Sequence, residues 1–319
     1  MKILAGNSNK ALAKHLALEL NADYIESLTI HFNDTEIKVE ILQSVYNEDV
    51  VIVQSTSRPA NDHLIELLLL IDVAKKSYAK QIIVVMPYFG YSRQDRKFSN
   101  NTAMPAQLIA NLLKTTGATS IITVDLHSPE IENFFEIPIQ NLSPLGLYLP
   151  FLKNYNDFTI VAPDKGSIER AQKINNVFNI DIATINKQRD INNICEMIAI
   201  TGNVKGKNCI LIDDIIDSGE TICKAAKFLM DNSALAVDAF VTHAVLSAGS
   251  LENIKNSAIR NVYITDTIHS SDLKNIAGIH VITIASIIIQ ALQPYVIASE
   301  GRPCCMDRIS DVIPTKTEI

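Results

Sequence analysis

The chain has 319 residues and carries 28 Lys and Arg against 35 Asp and Glu, a formal charge of −7. That length exceeds one typical core of roughly 100–200 residues, so two domains are expected. Hydrophobic residues at 47% and charged residues at 20% are ordinary globular composition and argue against disorder, while the acidic balance without a dense Lys/Arg run argues against a sequence-independent nucleic-acid binder.

The N-terminal Met1-Lys2-Ile3-Leu4-Ala5-Gly6-Asn7 breaks too soon for a signal peptide. Short β-branched runs then alternate with longer amphipathic segments. In chain order the predicted elements are a strand at Val50–Val53, a helix at Asn61–Lys76, a strand at Ile82–Met86, a helix at Ala106–Thr115 and a strand at Ser120–Val124. After the turn-rich Asn141-Leu142-Ser143-Pro144-Leu145-Gly146 the pattern repeats. Strands are expected at Phe158–Val161, Cys209–Ile212, Val237–Val241 and Asn261–Thr265, with helices at Ser167–Phe178 and Gly219–Met230. Continuous Val/Ile strands with helical crossovers read as parallel sheet covered on both faces. The apolar stretch Val281 to Ala298 is interrupted by Thr283, Ser286, Gln290, Gln293 and Pro294, and reads as a buried helix rather than a membrane span. An α/β chain of two tandem domains is therefore expected: 1–143, 144–292, and a tail at 293–319. Cys195, Cys209, Cys223, Cys304 and Cys305 show no metal-ligand spacing and read as reduced thiols, which fits a soluble cytoplasmic protein.

In open α/β sheets, ligands lie beyond the carboxyl ends of the strands, so the polar residues that follow each apolar run carry the information. The strongest such segment is Ile210-Leu211-Ile212-Asp213-Asp214-Ile215-Ile216-Asp217-Ser218-Gly219-Glu220-Thr221. Helix-opening N–H groups and small hydroxyls form an anion cradle. Adjacent carboxylates before it can accept from a sugar diol or hold a divalent ion. Phosphate on one side and vicinal hydroxyls on the other describe ribose 5-phosphate.

This segment resembles the phosphoribosyl-diphosphate loop of the type I phosphoribosyltransferase fold, which transferases share with ribose-phosphate diphosphokinases. The resemblance implies two phosphoribosyltransferase-like domains. It assigns ribose 5-phosphate to Asp213, Asp214, Asp217, Ser218, Gly219, Glu220 and Thr221. Glu220 departs from the glycine common there, and its carboxylate must turn away from a bound phosphate.

Further segments resemble the diphosphokinases in particular. His31-Phe32-Asn33-Asp34-Thr35-Glu36 resembles their adenine-binding turn, which serves a neighbouring subunit; Phe32 would stack on the base, with Asp34, Thr35 and Glu36 beside it. Pro87-Tyr88-Phe89-Gly90-Tyr91-Ser92-Arg93-Gln94-Asp95-Arg96-Lys97 places three cations on a loop after a strand, suited to polyphosphate. By resemblance, Arg93 and Gln94 contact ATP. In Val124-Asp125-Leu126-His127-Ser128 the resemblance makes His127 a Mg²⁺ ligand, with Asp125 a candidate for orienting it. Asp164, in Val161-Ala162-Pro163-Asp164-Lys165-Gly166-Ser167, matches a metal-linked aspartate, and Ser167 replaces a glycine. Ile185-Asn186-Lys187-Gln188-Arg189 resembles the catalytic arm, so Lys187 and Arg189 are the expected catalytic cations, and Arg189 also a ribose 5-phosphate contact.

The family implies a Mg²⁺-dependent enzyme of nucleotide biosynthesis that uses ATP and ribose 5-phosphate. It further implies a homo-oligomer, a hexamer built of dimers, with no nucleic-acid or membrane partner. No cation follows Lys97 in Phe98-Ser99-Asn100-Asn101-Thr102-Ala103-Met104-Pro105, where family members activated by phosphate carry more. Weak or absent phosphate activation is expected. A purine-type phosphoribosyltransferase and a catalytically silent regulatory homologue are the alternatives; the Arg93 segment argues against the first, and the retained Lys187 and Arg189 against the second.

Overall fold

The computed structural model describes residues 1–97, 99, 101–189 and 195–299. The first part of the chain runs β1 (Lys2–Ala5), α1 (Lys10–Glu19), β2 (Asp23–Ile25), β3 (Ser27–His31), β4 (Ile37–Ile41), β5 (Asp49–Val53), α2 (Ala60–Lys76), β6 (Gln81–Met86), α3 (Pro105–Thr116), β7 (Ser120–Val124) and β8 (Ile139–Leu142). The second runs α4 (Leu145–Leu152), β9 (Phe158–Ala162), α5 (Ile168–Phe178), β10 (Ile182–Arg189), β11 (Cys195–Thr201), β12 (Asn208–Ile216), α6 (Glu220–Asp231), β13 (Ala236–Ala244), α7 (Ser250–Lys255), β14 (Ile259–Thr265), β15 (Ile279–Ile282) and α8 (Ala285–Ser299).

Two sheets result. The first has the order β2-β1-β5-β6-β7-β8 and is parallel throughout. The second has the order β11-β10-β9-β12-β13-β14-β15 and is parallel except where β10 meets β11. Alternate residues of each strand enter different cores. Leu4, Ile52 and Val84 join the α2–α3 side, while Ile3, Val51 and Ile83 join the other face with α1. The second sheet divides likewise, Leu211 and Val241 going one way and Ile210 and Phe240 the other. A strand buried on both faces has no polar period, and this is why β5 could be read as a continuous run.

The last apolar stretch differs from expectation. Strand β15 ends at Ile282, and only from Ala285 does α8 begin. Ile284, Ala285, Ile288, Ala291 and Leu292 follow helical spacing and are buried against Ile3, Leu12, Leu16 and Val51. The chain thus returns to seal the open face of the first sheet. Ile288→Ala, which empties a site with no solvent exposure, should lower unfolding free energy by about 2–5 kcal/mol in urea titration.

Candidate active site

Candidate residues sit at or beyond the carboxyl ends of four strands. β6 leads to Arg93, β7 to His127, β9 to Asp164, and β12 itself carries Asp213 and Asp214. These loops meet across the two sheets. A cleft of about 920 Å³ is lined by Arg93, His127 and Asp95 from the first half and by Asp164, Arg170 and Asp214 from the second. A smaller cavity of about 200 Å³ opens beside the Asp217–Thr221 loop and shares Arg93, His127, Asp164 and Asp214 with it.

β12 is longer than expected, because its pairing with β13 continues to Ile216 opposite Ala244. Both adjacent acids therefore lie within the strand rather than in a turn. The Asp214 carboxylate accepts from Nδ1 of His127 at 2.7 Å, and Nη2 of Arg170 lies 3.8 Å away. Burial would raise its pKa, but the His127 hydrogen bond and the Arg170 charge outweigh that and hold it below the usual carboxylate range. The same hydrogen bond raises His127, against the opposing effect of burial. With Nδ1 donating to the carboxylate, the neutral tautomer keeps its lone pair on Nε2, the form a metal ligand needs. Asp125 does not orient this histidine. Its carboxylate accepts from Nε of Arg170 at 3.0 Å and from the Thr242 hydroxyl, while its carbonyl meets Nε2 of His243 at 3.1 Å.

Asp213 lies among acids. Burial, then the charges of Asp214 and Asp164, push its pKa well above the ordinary value. Oγ of Ser167 lies 3.0 Å from Oδ1 of Asp213 and 3.1 Å from Oδ1 of Asp164. One hydroxyl has one hydrogen, so it satisfies one of these carboxylates at a time. The Ser167 departure thus ties the candidate metal-linked acid to the candidate sugar-binding acid.

The loop expected to take the phosphate, Asp217–Thr221, is braced from the segment after β13 and from α7. Gly219 has φ +77 and precedes the first residue of α6, a backbone conformation a side chain would strain. N–H groups of Leu246 and Ser247 hold the carbonyls of Ile216 and Asp217, and Nδ2 of Asn253 holds that of Ser218 at 2.9 Å. Glu220 turns along the helix to Nζ of Lys224 at 3.2 Å and does not line the small cavity, whereas Ser218, Gly219 and Thr221 do. Nη1 of Arg93 reaches Oδ2 of Asp217 at 2.9 Å, so the two loops already touch. Gln94 lies beyond Arg93 in an adjoining cavity of about 650 Å³ with Tyr88 and Tyr91.

The Phe32–Glu36 turn caps the antiparallel β3–β4 hairpin and lines neither the cleft nor the small cavity. Phe32 is 49% exposed. Asp34 accepts from the N–H of Glu36 at 3.1 Å, and Thr35 has φ +74. The hairpin is anchored by the Thr29 hydroxyl, which donates at 2.6 Å to the buried Glu66 of α2. Ile185 and Asn186 of β10 line the cleft and lead into the candidate arm. Lys187 and Arg189 continue β10, opposite Met197 and Cys195, but their side chains lie outside the described residues, as do residues 300–319.

Sequence reasoning missed Arg170, the cation common to Asp125 and Asp214. In the sequence it is one charge among Glu169 and Lys173 on an amphipathic helix, and nothing local marks it. Asn253 was equally unmarked.

The raised pKa of Asp213 has a consequence for stability. Above the ordinary carboxylate value of about 4, the unfolded chain ionises this group more readily than the folded one, so folding is penalised increasingly until the folded pKa is passed. Asp213→Asn should therefore raise the thermal midpoint at neutral pH, and the gain should fade on acidification below about pH 4, as calorimetry across pH would record.

Comparison with known proteins agrees with this geometry. Residues 1–117 match the model of the N-terminal domain of ribose phosphate pyrophosphokinase, and residues 190–299 that of the phosphoribosyl synthetase-associated domain. The ribose-phosphate pyrophosphokinase of Agrobacterium fabrum is 42% identical over 296 residues, 92% of this chain and 96% of that protein. That of Bacillus cereus is 41% identical over 294 residues, 92% and 93% of the two chains. The crystal structure of phosphoribosylpyrophosphate synthetase from Mycobacterium smegmatis superposes with a TM-score of 0.87 at 32% identity, covering 94% of this chain and 99% of that one. The two parallel sheets, the joined loops and the near-complete coverage have one reading: this chain belongs to the ribose-phosphate pyrophosphokinase family.

Proposed function

We propose that the chain is a ribose-phosphate diphosphokinase, which transfers the diphosphate of ATP to the anomeric hydroxyl of ribose 5-phosphate and releases AMP, in the service of nucleotide biosynthesis. The observation that carries this reading is the contact of Arg93, on the loop expected to take ATP, with Asp217, on the loop expected to take the sugar phosphate. A phosphoribosyltransferase has no use for such an ATP loop.

In this reading the 5-phosphate lies against the N–H groups and hydroxyls of Asp217, Ser218, Gly219, Glu220 and Thr221. Glu220 contributes through its backbone, since its carboxylate is engaged by Lys224. Asp213 and Asp214 accept from the ribose hydroxyls. The anomeric hydroxyl oxygen forms a bond to the β-phosphorus in line and gives up its proton to solvent, the bond from that phosphorus to the oxygen of AMP breaks, and AMP leaves. Such transfer depends mainly on positioning and charge neutralisation. Arg93 with Gln94 orients the nucleotide, and Lys187 and Arg189 stabilise the charge that develops on the transferring group.

His127 and Asp164 would hold Mg²⁺, which supplies charge neutralisation on the diphosphate. The donor chemistry fits: the His127 ring, held through Nδ1 by Asp214, and the Asp164 carboxylate line the same cleft, and Mg²⁺ characteristically keeps few protein ligands and completes its shell with water and substrate phosphate. The adenine contact by Phe32, Asp34, Thr35 and Glu36 belongs to a neighbouring subunit of a homo-oligomer, a hexamer of dimers. The exposed Phe32 at the tip of a hairpin, away from its own cleft, supports this. We place the domain division at 143/144, between β8 and α4, with 144–292 as the second domain and 293–319 as the tail, although α8 spans that last boundary and packs on the first sheet. The enzyme is read as cytoplasmic; no helix among the described residues is long and apolar enough to cross a membrane.

The direct test is AMP formation from ATP, which should require both ribose 5-phosphate and Mg²⁺; AMP release independent of ribose 5-phosphate would refute the assignment. Lys187→Ala should lower kcat by about 10²–10³ while leaving the KM for ATP nearly unchanged, measured in steady state. Inorganic phosphate titrated into the assay should change the rate little, because no cation follows Lys97 before Pro105.

A further inference from the structure

The turn that carries His127 is held at its start by β8, where Asp125 N–H donates to the Leu142 carbonyl at 2.9 Å and Leu126 N–H to Oδ1 of Asn141 at 3.0 Å. Asp125, at its start, has φ +45, a left-handed conformation that a non-glycine residue enters at a cost. The second candidate metal-linked residue, Asp164, lies on a separate loop of the other sheet. Two ligands on separate elements are useful only if something fixes one loop against the other.

Arg170 makes that connection. Its side chain rises from the first turn of α5 and is only 13% exposed. Nε donates to the Asp125 carboxylate at 3.0 Å, Nη2 to the Leu126 carbonyl at 3.2 Å, and Nη1 to the Gly166 carbonyl at 3.4 Å. The same Nη2 lies 3.8 Å from the Asp214 carboxylate that receives His127. A planar guanidinium with five fixed donors can face these directions together; a lysine ammonium is a point charge on a flexible stem and cannot reproduce the fork.

We propose that Arg170 is the positioning residue of this site: one guanidinium locks the His127 turn to the Asp164 loop and so fixes the spacing of the two groups that bind the divalent cation. This inference rests on the assignment of the cation to His127 and Asp164 made above. Arg170 need not touch substrate to act. It sets where the imidazole and the carboxylate stand before cation and diphosphate arrive. Groups that orient metal ligands commonly matter by about 10–100-fold in metal affinity or activity.

The test uses the full-length protein with Arg170→Lys, which keeps the charge and loses the fork, beside Arg170→Ala. Mn²⁺ is titrated into protein saturated with ribose 5-phosphate, and bound metal is read from loss of the free-ion electron paramagnetic resonance signal. Arg170→Lys should unfold cooperatively, bind ribose 5-phosphate within about twofold of wild type, and lose about 10–100-fold in Mn²⁺ affinity and in kcat. Millimolar guanidinium should restore part of both in Arg170→Ala. Unchanged Mn²⁺ affinity in Arg170→Lys would overturn the proposal. So would a parallel loss of ribose 5-phosphate binding and Mn²⁺ binding, or failure of both variants to fold, since the contacts would then be merely structural. Wild-type protein that forms AMP yet binds no Mn²⁺ in this state would remove the cation assignment and the inference with it, leaving the enzymatic reading in place.

Discussion

Like charges crowd where the carboxyl ends of the two sheets meet. Asp125, Asp164, Asp213 and Asp214 converge there, and the fold depends on how their repulsion is met. Asp125 is matched by Arg170 and Thr242, and Asp214 by His127 with Arg170 close by. Asp213 is the poorly compensated member, and burial keeps its proton bound more tightly than usual. In the function proposed above, a divalent cation would supply the positive charge that Asp213 lacks.

The matching charges come from the opposite half of the chain. Arg170 of the second half holds Asp125 of the first, His127 of the first holds Asp214 of the second, and Arg93 of the first meets Asp217 of the second. The hydrophobic cores specify each sheet separately, but these polar pairs set how the loops face one another. The Arg93–Asp217 pair is the weakest of the three, since it is solvent-accessible and worth little by itself.

Much of this was legible in the sequence, for physical reasons that differ by element. Strands such as β5 and β7 are buried on both faces and announce themselves as unbroken apolar runs. Helices α2, α3, α5 and α6 appeared within a residue or so of their expected limits, because amphipathic spacing, Pro105 at the start of α3 and Gly219 before α6 are local signals. The extension of β12 through Asp213 and Asp214 was not legible, since only pairing with β13 keeps two acids in a strand. Nor was the break between β15 and α8, where a single apolar run serves two sheets. The outward turn of Glu220 could be stated as a requirement, and the i,i+4 partner Lys224 meets it. Arg170 was invisible because, Gly166 apart, its hydrogen-bond partners lie 44 and 45 positions away.

In the proposed function, ATP and ribose 5-phosphate meet in one cleft between the two sheets, with the nucleotide on the Arg93 loop and the sugar phosphate on the Asp217 loop. The most direct measurement is a crystal structure of the protein with Mg²⁺, ribose 5-phosphate and an ATP analogue carrying a methylene bridge between its α- and β-phosphorus atoms. The expected result is the 5-phosphate against Ser218, Gly219 and Thr221, the β-phosphorus facing the anomeric hydroxyl, and Arg93 on the polyphosphate. A nucleotide bound away from Arg93 and Gln94, or a sugar phosphate outside the Asp217–Thr221 loop, would contradict it.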